Sequence, residues 1–135
     1  MLHALAIEDD ERHAALLASA LRPVAWVQHV PHADEALSLL GWVVPDVVIA
    51  DCRGTSSASP MELAASMRIA LDRAGDRVRT RVPLVLVSGM DPDVLRSIAD
   101  TLRDTHALPK PYSSLALREL VSSLTAPRRG AHPEG

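Results

Sequence analysis

Four apolar runs in this chain end at side chains fit for chemistry. LHALAI (2–7) runs into Glu8-Asp9-Asp10, and VVIA (47–50) runs into Asp51. VPLVLV (82–87) runs into Ser88, and HAL (106–108) runs into Pro109-Lys110-Pro111. A buried strand does not tolerate an unpaired charge, so each acid either ends its strand or has partners. Three carboxylates gathered at one place repel, and one pKa rises unless a cation intervenes. Hard oxygen donors of this kind suit Mg²⁺, which binds through one or two carboxylates together with water and phosphate oxygens. Lys110, held between two prolines, offers a placed point charge for a carboxylate or phosphoryl oxygen, and Ser88 offers a hydroxyl donor. A carboxylate flanked by metal, ammonium and hydroxyl is the arrangement for a phosphoryl group landing on Asp51 as an acyl phosphate, with Mg²⁺ neutralising its charge.

The elements that would bring these residues together are read from the periodicity. Strand-like runs alternate with helix-period segments, the pattern of a parallel sheet wrapped by helices. The first strand, Leu2 to Ile7, is followed by a helix from Glu11 to Arg22, with Ala14, Leu17, Ala18 and Leu21 on one face and Pro23 as its breaker. Asp10 is the expected cap of that helix. A second strand, Val24 to Val30, precedes a short helix from Ala33 to Leu40 with Gly41 at its C-cap. The third strand spans Asp46 to Ala50. After a polar loop, Arg53 to Ser59, a helix starts at Pro60 and is expected to fray past Arg73. The fourth strand is Val82 to Val87, followed by a helix capped by Asp91 with Val94, Leu95, Ile98 and Leu102 inward. The fifth strand, His106 to Leu108, leads to a last helix, capped by Ser113 or Ser114, whose inner face carries Leu117, Leu120, Val121 and Leu124. The tail from Ala126 to Gly135 has no period and is expected to be disordered, leaving one domain over residues 1–125. In such a sheet, functional groups gather beyond the carboxyl ends of the strands. Glu8, Asp9, Asp51, Ser88 and Lys110 are the residues at those ends.

Composition excludes several classes. The 135 residues carry 17 acidic and 14 basic side chains, a net charge of −3 that gives no general affinity for nucleic acid. With no Phe, two Trp and one Tyr, no base-stacking surface is expected. The single cysteine, Cys52, excludes a disulfide framework and a Cys-rich zinc site, and it is expected to be a small core residue. Six histidines lack metal-ligand spacing. No window of about eighteen uninterrupted apolar residues suggests a membrane helix. The first residues lack a signal peptide's basic start and cleavage site, so a cytoplasmic location is the expectation. Arg68, Arg73, Arg77, Arg79 and Arg81 form a basic stretch, read as a solvated face, with a docking surface for an acidic partner as the sharper alternative.

With those residues in place, the chain resembles the receiver domain of two-component response regulators over residues 2 to 125. In that family an acidic pair follows strand one, the phosphoacceptor Asp ends strand three, Ser or Thr ends strand four, and Lys-Pro follows strand five. Glu8-Asp9, Asp51, Ser88 and Lys110-Pro111 occupy those places here. The resemblance implies a flavodoxin-like (βα)5 fold, a doubly wound parallel sheet of order 2-1-3-4-5. It implies Mg²⁺ held by Asp9 and Asp51 directly, by Glu8 through water and by the backbone carbonyl of Arg53. It further implies a cis Lys110-Pro111 bond and phosphotransfer to Asp51 from a histidine kinase or histidine phosphotransfer protein. The switch would then alter the face made by the fourth helix, fifth strand and fifth helix toward a downstream protein or a second copy, with no nucleic acid and no membrane as partner.

Three departures from that pattern stand out. The segment after Asp51 reads CRGTSSASPMEL, where the family has Met-Pro and then Asp-Gly. Ala107 stands where a Tyr or Phe usually rotates inward, with His106 beside it. The stretch between Glu62 and Val82 is also long. They keep open a degenerate receiver that binds partners without phosphorylation. A phosphatase resembling the haloacid dehalogenases is the enzymatic alternative, since Asp51-Cys52-Arg53-Gly54-Thr55 differs from Asp-x-Asp-Gly-Thr at one residue. That residue is the general acid/base, and arginine cannot replace it.

Overall fold

The computed structural model describes residues 1–126. Five strands, β1 (Leu2–Ile7), β2 (Ala25–Val30), β3 (Val47–Asp51), β4 (Leu84–Ser88) and β5 (Thr105–Pro109), form one parallel sheet of order β2-β1-β3-β4-β5. The helices α1 (Glu11–Leu21), α2 (Ala33–Leu39), α3 (Pro60–Arg77), α4 (Pro92–Asp100) and α5 (Ser114–Thr125) alternate with them. The alternation of apolar runs and helix-period segments led to the parallel sheet wrapped by helices, and the doubly wound (βα)5 order is the one the resemblance implied. The expected disorder of the tail falls on residues outside the described ones, apart from Ala126.

Two apolar layers sandwich the sheet, because alternate strand residues face opposite sides. Leu5, Ile7, Val48, Leu84 and Leu86 pack with Leu63, Met67 and Leu71 of α3 and Leu95 of α4. Ala4, Ala6, Ile49, Val85 and Val87 pack instead against Leu17 and Leu21 of α1 and Leu117 and Val121 of α5. β3 and β4 are buried along their whole length, so their sequences read as continuous apolar runs rather than alternating ones.

Caps fix where the helices begin. Asp10 caps α1, accepting hydrogen bonds from the backbone N–H of Arg12 and His13. Ser59 and Glu62 form a reciprocal capping box at α3, Asp91 caps α4, and Ser113 rather than Ser114 caps α5.

Several boundaries differ from expectation. β3 runs one residue further than Ala50 and contains Asp51. α2 closes on Leu40 in the right-handed region, with Gly41 merely following it. Val94 is 48% exposed, and the inner face of α4 is carried by Leu95 and Ala99 with Ile98 half-buried beside them; Leu102 lies past the helix end, half-buried against the core. α3 does not fray after Arg73 but continues to Arg77, which accounts for the long stretch before β4. Its end is a tight return. The backbone N–H of Thr80 donates to the carbonyl of Gly75 at 3.0 Å, and a Cβ on Gly75 would stand 2.3 Å from the Thr80 carbonyl oxygen. Only glycine permits that approach.

The arginine stretch is not a uniformly solvated face. Arg68 is 4% exposed; its guanidinium bonds Asp72 and the backbone carbonyls of Val82 and Asp104. Arg77 donates to the Leu40 carbonyl at 2.7 Å, tying α3 to the end of α2.

Candidate functional site

Asp51 is the last residue of β3 and is 5% exposed, so its charge survives only through its partners. One carboxylate oxygen, Oδ1, accepts the backbone N–H of Arg53 at 2.9 Å; the other, Oδ2, accepts from Lys110 Nζ at 2.5 Å. The strand ladder delivers these neighbours. Asp51 pairs in register with Val87, Cys52 N–H donates to the Val87 carbonyl, and Lys110 N–H donates to the Ser88 carbonyl at 2.9 Å. Lys110 is therefore anchored by backbone next to the strand that precedes it in the sheet, 59 residues away from the acid it pairs with.

Glu8 completes the buried part of the cluster. It is also 5% exposed, and its Oε2 accepts the Asp10 N–H at 3.2 Å. Burial pushes its carboxyl up to about 7, and the adjoining Asp51 carboxyl adds to the rise, against opposition from the Asp10 N–H and Lys110. Lys110 is raised as well. Burial alone would lower it, but its hydrogen bond to Asp51 and the charges of Asp51 and Glu8 outweigh that. Asp9 is exposed, and its carboxylate lies where a side chain on residue 54 would be: a Cβ on Gly54 would stand 2.1 Å from Asp9 Oδ2. Gly54 also has φ +79°, a conformation glycine adopts without strain.

Ser88 is buried at the end of β4, its Oγ accepting the Met90 N–H at 3.1 Å. The Lys110-Pro111 bond is cis, as expected. Ala107 is half-buried against the α3–α4 side of the core, and His106 beside it is lowered by burial, with Asp104 opposing and Arg68 reinforcing. Cys52 packs on that same layer, and burial next to Asp51 pushes its thiol up to about 12, which makes it an unreactive core thiol.

Four contributors to the site escaped the sequence reading. Thr55 is buried, its Oγ1 donating to the Asp51 carbonyl at 2.5 Å while its own carbonyl accepts the Ala33 N–H. It closes the loop in which the usual Met-Pro pair is missing. The signal available was a β-branched hydroxyl four residues after the acid, among serines that all stay exposed. His29 Nε2 hydrogen-bonds the Glu8 carbonyl at 2.5 Å, and His13 Nδ1 stands 3.9 Å from Glu8 Oε1. Tyr112, the single tyrosine, is half-buried just after Lys110-Pro111, and burial raises its hydroxyl.

Three carboxylates against one ammonium leave negative charge in excess, and the donors are hard oxygens; this set fits a divalent cation such as Mg²⁺. Among the described residues no three acid, histidine or cysteine side chains already converge on one point, so ligation would require Asp9 to turn inward.

This arrangement can be compared with known proteins. No family model and no curated protein matches the sequence. Solved structures do match. A two-component response regulator from Clostridium difficile superposes with a TM-score of 0.77 at 17% identity, over 97% of this chain and 99% of that one. The chemotaxis response regulator CheY4 of Vibrio cholerae gives 0.73 at 17% identity, over 92% and 98%. A response regulator receiver domain of Francisella gives 0.71 at 19%, over 93% and 97%. The fold is that of a CheY-like receiver. Within the receiver fold, Glu8, Asp51, Ser88 and Lys110 stand at the carboxyl ends of β1, β3, β4 and β5, with Lys110 hydrogen-bonded to both Asp51 and the Ser88 carbonyl. No helix among the described residues is long and apolar enough to cross a membrane.

Proposed function

We propose that the chain is a response regulator receiver that accepts a phosphoryl group on Asp51 from a sensor histidine kinase or a histidine phosphotransfer protein. The observation that carries this reading is the buried Asp51 carboxylate, gripped through one oxygen by Lys110 and pressed by the Glu8 carboxyl. In the transfer, a carboxylate oxygen of Asp51 forms a bond to phosphorus as the P–N bond of a phosphohistidine breaks. The electron pair leaves with the imidazole, which takes a proton from solvent. Lys110 pairs with the carboxylate beforehand and with a phosphoryl oxygen afterwards. The Arg53 N–H fixes the carboxylate plane, and Thr55 fixes the backbone behind it. Mg²⁺, held by Asp9, Asp51 and the Arg53 carbonyl with Glu8 through water, would neutralise the phosphoryl charge. Ser88 gives up its bond from Met90 to donate to a phosphoryl oxygen. The surface of α4, β5 and α5 then changes its affinity for a downstream protein. A cytoplasmic location belongs to this proposal through its kinase partner.

A second reading, a receiver fold used without phosphorylation, is favoured by one observation: Ala107 supplies no aromatic ring to couple Ser88 to that surface. The phosphatase reading has no such support, because Arg53 brings only its backbone to Asp51 and no second carboxylate follows the nucleophile.

Incubation with Mg²⁺ and acetyl phosphate, or with beryllium fluoride, separates these readings when followed by intact mass and ¹⁹F resonance. An alkali-labile phosphoryl adduct absent from Asp51→Asn is the expected result. No adduct together with no Mg²⁺ affinity overturns the proposal in favour of the phosphorylation-independent reading. Multiple turnover of a phosphate ester would establish an enzyme instead.

A further inference from the structure

Thr55 bonds in two directions, and only one of them concerns the phosphoacceptor. Its Oγ1 donates to the Asp51 carbonyl at 2.5 Å, while its own carbonyl accepts the Ala33 N–H at 2.8 Å. Ala33 is the first residue of α2, and the first N–H groups of a helix have no partner within it. The other helices meet that need with caps of their own, Asp10, Ser59, Asp91 and Ser113. α2 does not: its N-cap, His32, makes no side-chain capping bond, and the Thr55 carbonyl serves instead. The start of α2 therefore depends on the loop that leaves Asp51. Little else fixes that end. α2 is seven residues long, and its buried residues are two small ones, Ala33 and Ala36. Its far end is tied down, because Arg77 of α3 donates to the Leu40 carbonyl at 2.7 Å. A displacement at Ala33 would tilt the helix about Leu40.

The charge on Asp51 bears on where this loop sits. Two bonds tie the loop to that residue, the Arg53 N–H to Oδ1 at 2.9 Å and the Thr55 hydroxyl to the backbone carbonyl. The first is made to an ionised acceptor, which makes it roughly twice as strong as its neutral counterpart. An acyl phosphate takes that charge off the carboxyl group, so the Arg53 bond weakens and Thr55 remains as the firmer tie. Gly54 lies between the two, and at φ +79° its backbone can take up the change. A contiguous chain of hydrogen bonds thus runs from Asp51 through Thr55 to Ala33, the kind of connection that carries coupling between sites. Ala107 offers no ring for a route through β5; this one needs none.

We propose that Thr55 is a positioning residue that couples the charge state of Asp51 to the tilt of α2, so that phosphorylation is read out at α2. The phosphorylation input rests on the phosphoacceptor reading above, whereas the coupling of the Asp51 charge to α2 does not.

The amide ¹H–¹⁵N resonances of Asp34 to Leu39 in the full chain test it. They are followed on addition of Mg²⁺ with beryllium fluoride and, separately, in Asp51→Asn, which removes the charge without phosphoryl chemistry. Both changes should move them. Thr55→Val keeps the side-chain shape but loses the hydroxyl, and should cancel both responses, the second read as the double variant against the single one. Thr55→Ser keeps the hydroxyl and should preserve them, a rescue that a purely space-filling role would not give. Ala33→Pro cuts the other bond and decides the matter where Thr55→Val does not fold. Proline suits the first helical position, and His32 before it is already extended, at φ −134° and ψ 151°, as a residue preceding proline must be. That variant leaves every group at Asp51 in place, so the ¹⁹F signal of its beryllofluoride adduct should match that of the unsubstituted chain while α2 no longer responds. Resonances of α2 that ignore Asp51→Asn overturn the proposal, as does a response that persists in Thr55→Val or Ala33→Pro. Absence of any adduct, with α2 still following Asp51→Asn through Thr55, overturns the phosphoacceptor reading and leaves the coupling standing.

Discussion

Two buried charges lie at opposite ends of this sheet, and their surroundings differ in kind. Arg68 is at the end where α3 meets the starts of β4 and β5. Each face of its guanidinium fork has a fixed acceptor: the Asp72 carboxylate and the carbonyls of Val82 and Asp104. Asp51, at the carboxyl ends of the strands, is paired with Lys110 yet pressed against a second buried carboxyl, Glu8, whose pKa rises to about 7. The first network satisfies its donors and has nothing left to bind. The second holds more negative charge than its one ammonium answers, a state that a divalent cation would relieve. Burial alone therefore does not tell the two charges apart; the balance of their partners does.

The sharpest way to break the comparison is at the satisfied end. Arg68→Met keeps much of the side-chain volume but leaves the Val82 carbonyl without its guanidinium donor, leaves the Asp104 carbonyl with the Leu84 N–H alone, and takes from Asp72 its closest cation. We expect a loss of about 2–4 kcal/mol, from the cost of leaving buried polar groups unpaired. Urea titration should show this as a lower midpoint with an unchanged slope. Adduct formation at Asp51, measured at a temperature where the variant is folded, should persist. Loss of the adduct in a folded Arg68→Met protein would mean that the two ends are coupled.

The pH dependence of stability should divide along the same line, with opposite slopes. Glu8 titrates near 4.5 in the unfolded chain and near 7 in the folded one. Between those values the folded state binds more protons, so stability falls as pH rises through this window and the loss is complete above it. The magnitude is on the order of 3 kcal/mol at most. His106, close enough to Arg68 to feel its charge, is lowered instead, chiefly by burial. The unfolded state then binds the proton more readily, and stability falls as pH drops below 6.5. Glu8→Gln should flatten the first slope and leave the second. Added Mg²⁺ should restore stability at the alkaline side of the Glu8 window, where the carboxyl is ionised. Thermal melting across pH with and without Mg²⁺ reads both; a Glu8→Gln profile identical to that of the unsubstituted chain would show that Glu8 is not under strain.

The contrast between the two ends was unequally legible in the sequence. Acids, Ser88 and Lys110 could be placed together because each terminates an apolar run, and parallel strands put their carboxyl ends on one side. Arg68 could not be separated from Arg73, Arg79 and Arg81, since its acceptors are carbonyls 14 and 36 residues away, fixed only once α3 runs to Arg77. The helix was expected to fray past Arg73, yet it continues to Arg77, and Gly75 inside it lets the chain return closely at Thr80. Asp51 was taken to lie beyond its strand because a lone acid would not be buried; with Lys110 and the Arg53 N–H as partners, it is. Thr55 carried a local signal, a hydroxyl in a loop, but its bond to the Asp51 carbonyl depends on the turn that Gly54 makes.

That turn offers the most selective test of the reactive end. Gly54→Ala places a Cβ 2.1 Å from Asp9 Oδ2, in a backbone conformation disfavoured for a side chain. The backbone strain costs roughly 1–2 kcal/mol. Asp9 is exposed and can swing away, so the stability loss should stay within that range. The added methyl would stand where the Asp9 carboxylate now lies and hinder its turning inward toward Asp51, so Mg²⁺ affinity, read by isothermal titration, should fall roughly tenfold or more, the scale seen when a metal site's support is displaced. Gly89→Ala is the matched control at the same end of the sheet, since a Cβ there meets nothing within 4 Å and its effect on either quantity should be small. If Gly54→Ala and Gly89→Ala bind Mg²⁺ alike, Asp9 has no part in holding the cation, and the excess charge at this end rests on Glu8 and Asp51 alone.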